Sequence, residues 1–129
     1  MLPGHASAEP QAFVKNLVAR LHHPPKLVGI ALVEQQDRVD VAITGVGDVE
    51  AQTRQVCENL KSAVEAAGGS LRDICRVDVY VRNMEHFETI HKVRRQYFEP
   101  PLPASTMVEV CKMTSPEYLI EINAIAVIA

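Results

Sequence analysis

Apolar residues recur along the chain at helical and at strand periods, and the switches between the two mark its elements. Phe13, Leu17, Val18 and Leu21 stand at helical spacing within residues 10–21 and predict a short amphipathic helix. His22, His23, Pro24 and Pro25 end it, because proline restricts the residue before it and brings no backbone donor. Residues 1–26 are thus expected to form an N-terminal helix and linker, and residues 27–129 one folded domain. Two apolar runs, 27–33 and 39–44, flank the polar stretch 34–38, and Val39, Val41 and Ile43 alternate with Asp40 and Ala42, which predicts a β-hairpin closed by Gly45 and Gly47.

Val49, Thr53, Val56, Leu60, Val64 and Ala67 then recur at steps of four and three, the stripe of a helix resting on a sheet. Asp48 is placed to cap its start, and Gly68 to take the left-handed conformation at its end. Ser70 and Asp73 have the spacing of a capping box, which predicts a short helical turn. Over 74–81, Val77, Val79 and Val81 alternate with Arg76, Asp78 and Tyr80 as in a strand. Asn83 precedes a second helix over 85–98, with Phe87, Ile90, Val93 and Tyr97 on one face, and Pro100 and Pro101 end it. Strands over 107–111 and 118–127 complete the chain around a turn at 114–117.

The order is ββαβαββ after the N-terminal helix, and helices that each carry one apolar stripe suggest a single sheet with both helices on one face. In the last strand Ile120, Ile122, Ala124 and Ala126 share one side. The other side mixes Leu119, Glu121, Asn123, Ile125 and Val127, too apolar for water and too polar for a sealed core. A face of that kind commonly marks an oligomer interface or a ligand cleft.

Composition narrows the functions. With 129 residues, 47% hydrophobic and 22% charged, the chain is an ordinary globular domain. Its 13 basic and 16 acidic residues are scattered and sum to −3, so no basic field exists to attract nucleic acid. The longest apolar stretch, 124–129, is far short of the roughly 20 residues that span a bilayer, and residues 1–10 lack a charged-then-apolar leader pattern, so a cytoplasmic location is expected. Cys57, Cys75 and Cys111 form no C-x-x-C pair and read as buried or half-buried free thiols. His86 and His91, five apart, do not share a helix face and read as surface positions, and no metal is expected. Arg94 and Arg95 read as a solvated pair that complements the dipole at the end of the second helix.

From Asp48 onward the chain resembles the RidA/YjgF (Rid) family. The resemblance is carried by Asp48-Val49-Glu50-Ala51-Gln52-Thr53-Arg54-Gln55, by Glu58-Asn59-Leu60, by Glu65-Ala66-Ala67-Gly68-Gly69-Ser70-Leu71 and by Val77-Asp78-Val79-Tyr80-Val81. It continues through Asn83-Met84, Tyr97-Phe98, Pro103-Ala104, Val108-Glu109-Val110, Ile120-Glu121-Ile122 and Ala124-Ile125-Ala126. The resemblance implies a chorismate-mutase-like α/β fold, a homotrimer whose sheets close a central barrel, and a small-molecule ligand in the cleft between subunits. It also implies hydrolysis of reactive 2-imino or enamine acids to 2-oxo acids and ammonia, without a cofactor.

Carried over by position, the catalytic glutamate that positions or activates water falls on Glu121. The family's Pro-Ala-Arg-Ser start to its penultimate strand reads Pro103-Ala104-Ser105-Thr106, so Ser105 stands where an arginine clamps the substrate carboxylate. Met107 occupies the place of a frequent cysteine, and Thr44-Gly45 that of a Ser-Gly pair. Ser105, Thr106, Met107, Thr44 and Gly45 are therefore the expected substrate-binding residues. Exchanging a bidentate charged contact for a hydroxyl forfeits about 2 to 4 kcal/mol of anchoring. Two functions follow from this departure: a Rid-type deaminase with altered substrate choice, or a non-catalytic trimeric module that binds a small molecule or a partner.

Overall fold

The computed structural model describes residues 27–32 and 44–128. The N-terminal helix, the linker and the 39–43 part of the hairpin lie outside these residues. The described elements are strand β1 (Leu27–Leu32), helix α1 (Val49–Ala66), β2 (Ile74–Val81), helix α2 (Phe87–Tyr97), β3 (Ala104–Glu109) and β4 (Ile120–Val127). Short 3-10 turns at Leu71–Asp73 and Met84–His86 introduce β2 and α2.

Local chemistry sets the ends of these elements. The Asp48 carboxylate accepts from the Ala51 N–H at 3.0 Å and caps α1. At the other end Gly68, at φ 92°, turns the chain so that its N–H reaches the Glu65 carbonyl (3.0 Å) and the Gly69 N–H that of Val64 (2.9 Å). The Ser70 N–H donates to Asp73 at 2.7 Å. Asn83 accepts from the Glu85 N–H at 3.0 Å, capping the 3-10 turn, and the α-helix proper starts only at Phe87.

The sheet order is β1-β4-β2-β3. β4 runs antiparallel to both neighbours and β3 parallel to β2, a pairing that the α2 crossover makes reachable. Between Ile74 and Arg76 the register with β4 slips, leaving Cys75 as the extra residue of a bulge. The slip puts Ile74 and Val77, three apart, both in the core. It also exposes Cys75, whose Sγ reaches the Ile125 carbonyl at 3.4 Å. Cys111 is exposed as well, so only Cys57 is the buried thiol expected.

Val77, Val79 and Val81 of β2 and Ile120, Ile122, Ala124 and Ala126 of β4 meet Val56, Leu60, Ala63 and Val64 of α1 and Ile90 of α2 in one core, with both helices on the same face. Each fully buried Leu, Ile or Val contributes about 1.5–3 kcal/mol relative to exposure. β3 begins earlier than the 107–111 expected. Register with β2 from Arg76↔Ala104 to Val81↔Glu109 draws the polar Ser105 and Thr106 into the ladder, which local hydrophobicity does not reveal. β4 starts at Ile120 rather than 118, because the Tyr118 N–H is taken by the Ser115 carbonyl (3.2 Å) in the preceding turn.

Gln52 is fully buried on α1 and every polar atom of its amide is used. Its Nε2 donates to the carbonyls of Gly45 (3.2 Å) and Glu117 (2.9 Å), and its Oε1 accepts from the Leu119 N–H (2.8 Å). Gln52→Leu leaves those backbone groups without their partner and is expected to cost about 3 kcal/mol, read as a lower urea midpoint. An unchanged midpoint would show that the amide is dispensable.

Candidate functional site

The two faces of the sheet divide the residues expected at the site. In register across the open face stand Thr106, Asp78 and Asn123 in one row and Val108, Tyr80 and Glu121 in the next. Arg76 pairs with Asp78 at 3.3 Å along β2. Glu121 is half-buried and makes no hydrogen bond or ion pair among the described residues. Burial alone pushes its carboxyl above the usual carboxylate range.

Ser105 and Met107 point the other way. Ser105 is in register with the buried Val77, and Met107 packs on the core beside Val79. The row of Ser105 lies three residues along β2 from that of Glu121, about 10 Å at strand rise. One chain therefore does not bring Ser105 and Glu121 together. Thr44 and Gly45 sit in the turn before α1, with Gly45 at φ 66°. A side chain at Gly45 would lie 2.6 Å from the Ala51 Cβ, so this close approach requires glycine.

Above Ser105 lies a group that was assigned to the solvent. Arg94 is half-buried, and its Nη2 donates to Ser105 Oγ at 2.9 Å. Burial lowers its pKa below the ordinary arginine value, while the nearby Cys57 acts in the opposite direction. The correction has a signal in the sequence, since Arg94 falls four residues after the core Ile90 and beside the core Val93, at the margin of the buried stripe. Arg95 does face solvent. His86 and His91 are half-buried rather than open surface positions. Their Nδ1 atoms are shielded and have no hydrogen-bond partners among the described residues, and the His91 ring stacks on Phe87 at 5.3 Å. Among the described residues no cluster of His, Cys, Asp or Glu has the arrangement to hold a metal, and no helix is long and apolar enough to cross a membrane.

The cross-links that hold α2 against α1 keep this arrangement in place. Tyr97 Oη donates to Glu58 at 2.7 Å, and Arg54 donates to Gln96 at 2.8 Å. Beneath β3, the Glu109 carboxylate accepts from the Met84 N–H at 2.9 Å and ties the entry of α2 to the edge strand.

Residues 15–128 match the family described as Endoribonuclease L-PSP. A RutC family protein of Pyrococcus horikoshii is 46% identical over 80 residues, covering 62% of this chain and 63% of that protein, so the likeness spans less than two thirds of the relative's length. The structure of Escherichia coli TdcF with bound serine is 30% identical with a TM-score of 0.60, covering 79% of this chain and 78% of that one. A YjgF-family protein of Mycobacterium tuberculosis shares the fold over 99% of this chain and 98% of its own, with a TM-score of 0.65 at 22% identity. With a family match over nearly its whole length and this helix-on-sheet architecture, the chain belongs to the RidA/YjgF family, the Endoribonuclease L-PSP group.

Proposed function

We propose that this protein hydrolyses small 2-imino or enamine acids to 2-oxo acids and ammonia, at a site assembled between subunits of a homotrimer. The observation that carries this reading is Glu121, a half-buried carboxylate with no partner among the described residues, beside Tyr80 on a sheet face too apolar to be left in water. A carboxylate made more basic by burial is a better proton acceptor than an exposed one. With the substrate as its iminium, the carboxylate takes a proton as water oxygen bonds to the imine carbon, gives it to nitrogen, and takes the hydroxyl proton as the 2-oxo group forms, the C–N bond breaks and ammonia leaves. Because Ser105 and Glu121 occupy opposite faces, the helix-side edge of one subunit and the open face of the next would supply the two halves. The serine bound by TdcF, a small amino acid, supports a ligand of this size and charge.

A domain boundary near residue 26 and a cytoplasmic location belong to the same reading. The replacement of the clamp arginine by Ser105 favours a second one, binding without turnover. The two are separated by generating 2-imino acids with an amino-acid oxidase and following semicarbazide trapping. A hydrolase diverts the imine before it is trapped, and Glu121→Gln lowers that turnover by about 100-fold. No acceleration over buffer would leave the binding module. Sedimentation equilibrium is expected to give three times the 14.2 kDa chain mass, and a monomer at micromolar concentration would remove the shared site.

The carboxyl also makes a signed pH prediction. Its folded pKa is raised, so its contribution to stability is present below the unfolded pKa and lost as pH rises through the folded pKa. Glu121→Gln should therefore melt higher than wild type at pH 7.5, with the difference vanishing in acid. A difference that persists in acid would assign the effect to packing.

A further inference from the structure

Where the end of α2 passes the edge strand β3, the surface dips into a groove of about 150 Å³ lined by His91, Arg94, Phe98, Leu102, Pro103 and Ser105, with the solvent-facing Arg95 at its rim. Its chemistry is lopsided. The Arg94 guanidinium carries five N–H donors and no acceptor. One of them goes to Ser105 Oγ, and the serine, accepting there, keeps its own O–H to donate elsewhere. Arg94 Nε is shielded from solvent and has no hydrogen-bond partner among the described residues. No carboxylate among the described residues pairs with Arg94.

Nor does Cys57, the one acidic group whose charge would act on Arg94 among the described residues, supply a counter-charge. Burial pushes the Cys57 thiol up to about 12, so it stays neutral. A partly desolvated cation without an opposite charge is costly, and so is a shielded donor without an acceptor. A carboxylate from solution answers the first of these costs, through the guanidinium N–H groups that Ser105 leaves unused and in the forked geometry that guanidinium favours. The remaining wall, Phe98, Leu102 and Pro103, is apolar, and Leu102 is one of the most exposed large hydrophobic side chains at 62%. The groove is well below the roughly 300–1,000 Å³ of pockets that hold drug-sized ligands, which limits the occupant to a few carbons.

We propose that Arg94 and Ser105 form a carboxylate-binding site in this groove, which takes a short-chain monocarboxylate with its carbon chain against Phe98, Leu102 and Pro103. The proposal deepens the functional reading by naming the group that selects the substrate, and rests on that reading only for the ligand being a substrate. Arg94 is then the specificity-determining residue and Ser105 its auxiliary donor. The serine in the edge strand leaves room for a guanidinium that arrives from the helix instead of from the strand.

The test is calorimetric titration of the wild-type protein with 2-oxobutanoate and, as its uncharged counterpart, methyl 2-oxobutanoate. The acid is expected to bind and the ester to bind about tenfold or more weaker. Arg94→Gln should weaken the acid by a similar factor and leave the ester unchanged, and Arg94→Lys should recover only part of the loss. Arg94→Gln/Ser105→Arg, which moves the guanidinium from helix to strand within the same groove, should restore acid binding. Equal affinity for acid and ester, or no binding of either by the wild type at millimolar concentration, overturns the site without any variant. Undiminished acid binding by a folded Arg94→Gln protein does the same. Glu121→Gln separates this outcome from that of the hydrolase reading, because it should lose turnover and keep acid binding. Arg94-dependent binding with no turnover by wild type would retain the site and remove the hydrolase. Full turnover by Arg94→Gln would retain the hydrolase and remove the site.

Discussion

The amide of Gln52 is the constraint on which the arrangement turns. It is a polar group on the buried apolar face of α1, and such a group is tolerable only when its nitrogen and its oxygen both find partners. Meeting that condition requires the turn at Gly45 and the segment from Glu117 to Leu119 to arrive at the same point. The second of these arrivals sets the phase of β4. With Leu119 held by its N–H, Ile120 turns into the core and Glu121 to the open face, and the alternation carries through to Val127.

From that phase comes the two-sided character of the sheet. The helix side is a continuous apolar layer across β4 and β2, but at β3 the layer runs out and Ser105 stands at its margin. The margin is where α2 ends and where Arg94 lies over the serine hydroxyl. On the opposite side Glu121, Tyr80 and Asn123 form a patch neither dry nor fully wet. The candidate groups thus sit at the two places where packing is incomplete, which is where a small protein has room for a ligand.

What was legible beforehand follows from the range of the forces involved. The alternation of Val77, Val79 and Val81 and the stripe from Val49 to Val64 are local consequences of burying one side of a strand or helix, and they stand in the structure as expected. Asp48, Asn83 and Gly68 act within a turn of their own position and were equally readable. The start of β3 was not, because Ala104, Ser105 and Thr106 carry no alternation and enter the sheet only through register with β2. The same holds for Gln52, whose partners lie up to 67 residues away, and for Arg94, whose surroundings are decided by how α2 crosses the edge strand. Glu121 was singled out through the resemblance alone, and its placement on the face opposite Ser105 depends on two registers at once.

The strand order has a further consequence for how the molecule comes together. β2, α2 and β3 are consecutive in the chain and pair directly, so this unit can assemble as soon as its residues are available. β1 is different: it meets the rest of the described sheet only through β4, which slots between it and β2. One of the two inner strands is therefore the last of the described elements to emerge during synthesis. Until residues 120–127 leave the ribosome, the apolar faces of α1 and β2 lack the β4 part of the layer they close upon, and that surface stays exposed on the nascent chain.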